Sequence, residues 1–565
     1  MAEKTKIGMY KGKTYDEIYR NFHWEIDEKL NIGVEICDKW AGDKYRTALI
    51  HIDRDGHEQR WSYWELRNAS NRFANALTGL GIERGDRVAV FLPNRPETLI
   101  AHIAVYKTGA ILAPLLTLFG PMAIEYRLLS SGSRIVVTDR ENLPKVLEIR
   151  ERLPELETIV VVGGADHADT VDFHQCLARE SRHFDVKETR NDDPALIIYT
   201  SGTTGPPKGA LHGHRLLPAE VNNLGFNLDF FPQPGDLLWT HCDWGYIAGS
   251  FAALYPTLYH GYTVVNYERS GRFDAEQAFE IISRYGVTVI FAIATAMRIM
   301  MEQVPRPASR YDLSELRQIA VGGETMGPDL LEWSRRELGI SFNENYGLTE
   351  CDYSIANCSV LMEIREGSMG RAIPGHEVAI IDRDGSELPP DCYGEIAIRR
   401  PNPSMFLGYW NDAEATAARF SGDWFRTGDF ATRDADGYFW FVGREDDVIE
   451  SGGYRIGPGE VEAALKKHAA VADAAVIGVP DRIKGELVKA FITVKSGVDT
   501  SAALEQELKL FVRERLESHA YPKEIEFLRE LPVGNTGKVM KRELRRMENE
   551  RRDANDAEKP NDNAD

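Results

Sequence analysis

The sequence predicts an α/β protein: a large N-terminal domain of layered, largely parallel sheets, a small β-barrel-like subdomain, and a small α+β C-terminal domain. Three observations predict it. Amphipathic helix, glycine turn and apolar strand recur in that order, the rhythm of parallel sheets covered by helices. Past roughly residue 375 the rhythm gives way to short strands separated by turns. Beyond Arg444 a helix, two strands and a second helix form a unit of about 100 residues, an ordinary domain size.

Each element follows from its residues. In WSYWELRNASNRFANALTGLGIERGDRVAVFLPN a helix keeps its apolar residues on one face, and RVAVFL is a short buried strand. AIEYRLLSSGSRIVVTD, AFEIISRYGVTVIFAI and DLLEWSRRELGISFNENYG repeat the unit. ETLIAHIAVYKTGAILAPLLTLFG is the most apolar long stretch, but His102, Lys107 and its glycine and proline breaks make it a buried helix plus strand and not a membrane span. HEVAIIDRDGSELPPDCYGEIAIRR and GYFWFVGRE supply the short strands; EVEAALKKH, ADAAVIGVP, KAFITV and ALEQELKLFVRERL supply the last unit. The first 45 residues read as a charged helical arm around the main body. The end, ENERRDANDAEKPNDNAD, is too polar to bury a face and is expected to be disordered. The expected domains are 1–445, 446–547 and a tail at 548–565.

Bulk numbers narrow the function. A chain of 565 residues exceeds one hydrophobic core, and 43% hydrophobic with 27% charged is ordinary globular composition. A net charge of −21 argues against a general binder of nucleic acid or anionic membrane. Six cysteines without C-x-x-C spacing fit reduced thiols better than a disulfide framework or zinc site. The N-terminus lacks the apolar stretch of a signal peptide, so a cytoplasmic protein is expected, monomer or dimer.

YTSGTTGPPKG, at 199–209, follows the strand-like ALII and crowds hydroxyls, glycines and a lysine into one loop. Glycine backbone N–H groups can surround an anion, hydroxyls add donors, and Lys208 adds a mobile charge, which suits a polyphosphate. The spacing is not that of a P-loop: Gly202 and Gly205 are too close together and Gly209 follows Lys208 where Ser or Thr is needed. Other stretches share the odd chemistry: AVGGETMGP, NENYGLTE, WFRTGD, FVGREDD and LPVGNTGKVMKREL. Singly, Asp429 is a turn former, Arg444 a surface ion pair and Lys538 a solvated lysine.

Together and in this order, over nearly the whole chain, these stretches resemble the adenylate-forming superfamily of acyl-CoA synthetases, luciferases and peptide-synthetase adenylation domains, with the medium-chain acyl-CoA synthetases nearest. The resemblance implies that Thr200, Ser201, Gly202, Thr203, Thr204, Gly205, Pro206, Pro207 and Lys208 grip the phosphates of ATP. Gly322, Gly323 and Glu324 would border the adenine, and Glu344, Asn345, Tyr346, Gly347 and Leu348 would carry the nucleotide, with Tyr346 stacked on the base. Thr349 would touch the α-phosphate, Glu350 would hold Mg2+, and Asp429 and Arg444 would bind the ribose. Lys538 would bridge carboxylate and α-phosphate from a mobile C-terminal domain that turns about Asp446. Gly452, Gly453, Tyr454 and Arg455 would pass the pantetheine of coenzyme A; a plain glycine turn before a helix describes the same loop.

No general base is needed, because a carboxylate is already ionised at neutral pH. His212 and His214 are accordingly read as structural. The acetate-specific branch carries tryptophan where Gly347 stands, so an acid longer than acetate, medium-chain, branched or cyclic, is expected. Trp244 and Tyr246, with Gly323 and Gly347, would line the acyl pocket, although both aromatics read equally well as core. Ile293, Ala294 and Thr295 depart from the P-P-T that the superfamily often has there. Small-molecule acid, ATP and coenzyme A are the expected partners, with no nucleic acid; loading of a carrier protein, a short-chain ligase and a nucleotide-binding module with a dead site are the alternatives.

Overall fold

In the computed structural model, which describes residues 12–164, 166–200, 207–269, 271, 273–444, 447, 449–451, 454–481, 485–513, 521–534 and 539–557, the alternating segments fold into two large sheets. One has nine strands in the order Arg371–Ala372, Asp352–Ala356, Asn343–Leu348, Gln318–Gly322, Val289–Ile293, Leu237–Thr240, Thr263–Tyr267, Thr47–Ile52, Glu58–Ser62. From Asn343–Leu348 through Thr47–Ile52 all neighbours are parallel. The other has eight strands, Gly408–Tyr409, Lys208–Gly213, Pro194–Thr200, Ile111–Pro114, Arg87–Phe91, Ile135–Asp139, Thr158–Val162, Thr170–Asp172, and is parallel from Pro194–Thr200 onward. Strands covered on both faces must be apolar throughout, which is why RVAVFL and RIVVTD show no alternation.

The apolar stretch becomes the helix Pro96–Thr108 and the strand Ile111–Pro114. Every residue of that helix except Glu97 is buried, and the helix Leu216–Asn227 is buried along its whole length. One core cluster joins these helices to both sheets through Val88, Ile135, Leu238 and Val264. Lys107 is carried inside it, tolerated because its Nζ donates to Ser70 Oγ at 3.0 Å and Asn71 Oδ1 at 2.8 Å and pairs with Asp38 at 2.6 Å. The helix Tyr63–Gly79 starts at a capping box in which Ser62 and Glu65 satisfy each other's backbone N–H.

The chain divides into two units, one comprising 1–379, 397–426 and 436–439 and the other 380–396, 427–435 and 440–565. Both big sheets belong to the first. In the second, Tyr454–Ile456, Ile449–Ser451, Gly485–Val494 and Val471–Asp481 form an antiparallel sheet, with Glu524–Phe527 added in parallel beside Gly485–Val494. The helices Pro458–Lys466 and Ala502–Arg513 close its core around Val461, Leu465, Val476, Ile492 and Leu508.

Two expectations are corrected. The N-terminal arm is helical only at Tyr15–Asn21 and over 32–38, which includes the π turn Val34–Asp38, among the described residues. It is held instead by side chains on one distant segment: Tyr15 Oη donates to Ala372 O, Trp24 Nε1 to Gly375 O and Tyr19 Oη to His376 O. The C-terminal helix runs over Lys541–Ala557, through ten of the residues, 548–557, whose composition predicts disorder. An ionic anchor explains it: Lys489, 2% exposed, donates to Glu548 at 2.6 Å and to Glu526 at 2.7 Å. Burial raises the Glu548 pKa, but hydrogen bonds from Arg551, Lys489 and Arg552 outweigh it and hold the carboxyl down at about 2.

Candidate active site

In open parallel sheets, ligands sit beyond the carboxyl ends of the strands. The motifs lie there. Pro194–Thr200 runs into the glycine-rich loop, Gln318–Gly322 into GGE, Asn343–Leu348 into Thr349 and Glu350, and Leu237–Thr240 into DWGY. Register aligns the ends, with Ile293 opposite Gly322 and Val321 opposite Glu344. Thr200 faces Lys208 across the mouth of an antiparallel hairpin. Ser201, Gly202, Thr203, Thr204, Gly205 and Pro206 lie outside the described residues. Pro207 is held by its carbonyl, which accepts from Tyr126 Oη at 2.9 Å.

Lys208 and Glu350 are brought together by a residue that sequence reasoning missed. Tyr409 donates to Glu350 Oε1 at 2.5 Å, and the Lys208 ammonium stands 5.2 Å from the centroid of the same ring. A strand of two residues, Gly408–Tyr409, carries no periodicity that could have flagged it. His212 Nε2 donates to Thr349 O at 2.8 Å, tying the hairpin that carries Lys208 to the Thr349–Glu350 turn. Burial drives His212 and His214 down to about 4, so both are neutral, and His214 Nδ1 accepts from Ile32 N. They are structural, as their sequence context indicates.

Close approach explains two glycines. A Cβ on Gly322 would stand 2.2 Å from Asn345 Oδ1, and Asn345 Nδ2 donates to Asn227 Oδ1 at 2.8 Å. Glu324 accepts from Thr295 Oγ1 at 2.6 Å and pairs with Arg298 at 3.3 Å, so the divergent Ile293–Ala294–Thr295 stretch still braces the GGE loop. Burial pushes Glu344 up to about 8, against the N–H of Met326, which bonds its Oε1. Tyr346 is 9% exposed, and Leu348 ends the same strand. Gly347 tells a different story from its sequence reading. A Cβ there would meet Asp352 O at 2.2 Å and Tyr353 Cα at 2.4 Å, so the tight hairpin itself demands glycine, irrespective of acyl-chain length.

The two aromatics of DWGY part company. Trp244 is 1% exposed and belongs to the main core cluster, in keeping with the core reading of this aromatic. Tyr246 is 36% exposed, with its phenol against the Thr349 hydroxyl. Asn94 fixes the segment, accepting from Trp244 N at 2.7 Å and donating to Cys242 O at 2.8 Å. Gly323 is exposed beside Ile293 Cγ2, 3.2 Å from the position of a Cβ.

In the second unit Asp429, 7% exposed, pairs with Arg444 at 3.7 Å. Tyr454 and Arg455 lie on a strand paired with Ile449–Ser451. Asp446, Gly452, Gly453 and Lys538 lie outside the described residues. For a magnesium ion the donor set fits: Mg2+ is commonly held by one or two carboxylates plus substrate phosphates, and Glu350 supplies one beside Lys208. The one other group of potential metal ligands among the described residues, Asp53, Asp55 and His57, sits on a separate turn and is satisfied within itself. No helix among the described residues is long and apolar enough to cross a membrane.

Comparison with known proteins agrees with this geometry. The AMP-binding enzyme profile matches residues 38–410, and the AMP-binding enzyme C-terminal domain profile matches 460–538. An acetyl-coenzyme A synthetase of Bacillus subtilis (strain 168) is 36% identical, over 95% of each chain. The mitochondrial acyl-coenzyme A synthetase ACSM3 of Mus musculus is 34% identical over 94% of this chain and 93% of its own. The crystal structure of the anthranilate CoA ligase AuaEII in complex with anthranoyl-AMP superposes with a TM-score of 0.84 at 29% identity, covering 92% of this chain and 98% of that one. The chain belongs to the AMP-binding enzyme family, among its acyl-CoA synthetases.

Proposed function

We propose that the protein joins a carboxylic acid longer than acetate, medium-chain, branched or cyclic, to coenzyme A in two steps. In the first, a carboxylate oxygen attacks the α-phosphorus of ATP, the α–β bridge breaks, and pyrophosphate leaves with acyl-AMP remaining. In the second, the coenzyme A sulfur, as thiolate, attacks the acyl carbon and AMP departs with the bridging oxygen. Two anions meet in the first step and charge gathers on pyrophosphate, so preorganised donors and cations carry the rate. Lys208 and Thr200 stand where phosphates would be gripped, and Thr349 follows the strand that carries Tyr346. Glu350 would hold Mg2+, which when bound neutralises phosphate charge. The observation that carries the reading is the bridge from Lys208 through Tyr409 to Glu350, which gathers phosphate and metal groups from separate strands.

The roles of Lys538 in adenylation, of Asp446 as hinge, of Asp429 and Arg444 at the ribose and of the 452–455 loop at the thiol rest on the family resemblance. Lys538→Ala is expected to lose carboxylate-dependent pyrophosphate exchange and to keep conversion of supplied acyl-adenylate to thioester; equal loss of both contradicts the assignment. The larger acid is supported by the exposed, side-chain-free backbone at Gly323 and by the anthranoyl-AMP held by the similar ligase. Acetate or propionate is the second reading, favoured by the Bacillus subtilis relative. Thioester formation with free coenzyme A, screened from acetate to octanoate and benzoate, decides between them. Cytoplasmic location is part of the same proposal, resting on the cysteine pattern.

A further inference from the structure

The strand Gly408–Tyr409 exists only as an edge. It pairs antiparallel with Lys208–Gly213, Tyr409 opposite Ala210 and Gly408 opposite Leu211. Trp410 N donates to Gly209 O at 2.7 Å and Leu407 N to Leu211 O at 2.6 Å, while Phe406 N donates to Glu350 O at 2.7 Å. Three backbone N–H groups, of Phe406, Leu407 and Trp410, thus lock the residues around Tyr409 to the phosphate hairpin on one side and to the Glu350 turn on the other. The side chain repeats the bridge, with its hydroxyl on Glu350 Oε1 and its face toward Lys208. Phe406 fixes the ring orientation, edge-on at 5.0 Å. A carboxylate oxygen can only accept, so the phenol is the donor.

We infer that Tyr409 is a positioning residue: its hydroxyl pins one oxygen of Glu350 and leaves the second for the metal of the nucleotide, and its ring seats Lys208 for the phosphates. The inference rests on the proposed roles of Lys208 and Glu350. A carboxylate with one oxygen fixed by a neutral donor loses rotational freedom yet keeps its charge, the usual service of an outer-sphere hydrogen bond to a metal ligand. Lys208, on a flexible stem, gains direction from the aromatic face.

Tyr409→Phe removes the hydroxyl alone. The test is Mn2+ binding, read by electron paramagnetic resonance in the presence of α,β-methylene-ATP, which cannot be cleaved at the bond that breaks. Tyr409→Phe is expected to weaken Mn2+ binding about 10-fold or more, with metal-free affinity for the analogue unchanged. Tyr409→Leu, which also removes the ring, weakens the metal-free affinity as well. In a Glu350→Gln background, Tyr409→Phe adds no further loss. Mn2+ affinity unchanged by Tyr409→Phe, or losses that simply add in the double variant, overturns the inference while leaving the ligase reading intact. Wild-type protein that binds no Mn2+ with the analogue overturns both.

Discussion

Glu344 shows how an environment, and not a residue type, decides chemistry. Its carboxyl is buried and protonated at neutral pH, pushed to about 8 from an ordinary 4.5. The native state therefore keeps a proton that the unfolded chain releases, and the cost is absent below pH 4.5 and grows as pH rises toward 8. Glu344→Gln preserves the shape and the oxygen that accepts from Met326 N. It is expected to stabilise the protein by roughly 1–3 kcal/mol at pH 7 and by much less at pH 5, read from urea unfolding at both values; an equal gain at both contradicts the protonated state. The sequence marks Glu344 as a site residue but cannot show its burial. Likewise GGE is legible as a loop, whereas the reason for Gly322, the Asn345 amide 2.2 Å from a Cβ, needs a partner 23 positions along the chain. The packing reason for Gly347 is hidden in the same way, since the strand that excludes a side chain there is its own hairpin partner.

Elements with strong periodicity or continuous apolar runs, such as Tyr63–Gly79 and Arg87–Phe91, stand where the sequence places them. The failures are elements stabilised by remote partners. Lys541–Ala557 carries few apolar residues in its second half, and its order comes from Lys489 on a strand about sixty residues earlier, with Arg552 Nη1 also donating to Pro480 O. Leu544 and Met547 pack on Ile477, Val479 and Phe491, so the anchor secures a face that is apolar only in its first turns. Glu548→Ala leaves the buried Lys489 ammonium with Glu526 as its remaining close carboxylate and is expected to cost about 1.5–3 kcal/mol, with hydrogen-exchange protection lost first over Lys541–Ala557. Lys489→Met combined with Glu548→Met should recover most of that loss. Unchanged protection in Glu548→Ala would show that the apolar contacts alone hold the helix.

Over the molecule as a whole, the two parallel sheets do for the site what no single motif does. The strands Pro194–Thr200, Leu237–Thr240, Gln318–Gly322 and Asn343–Leu348 each run into one short polar segment, and stretches separated by more than a hundred residues, Lys208 and Glu350 among them, meet around Tyr409. The ordered motifs made the family legible because they are the strand ends, where sequence is free of packing constraints and shaped by chemistry. The acid was not legible, because pocket shape depends on which side chains face inward: Trp244 turns into the core and Tyr246 stays exposed, a division invisible in DWGY. The central claim, a carboxylate oxygen attacking the α-phosphorus, leaves an isotopic record. Acid labelled with oxygen-18 at both carboxyl positions, incubated with ATP, Mg2+ and coenzyme A, should give AMP carrying one label by phosphorus NMR, acyl-CoA retaining the other, and unlabelled pyrophosphate. Label appearing in inorganic phosphate alongside ADP, or absent from AMP, would contradict the account.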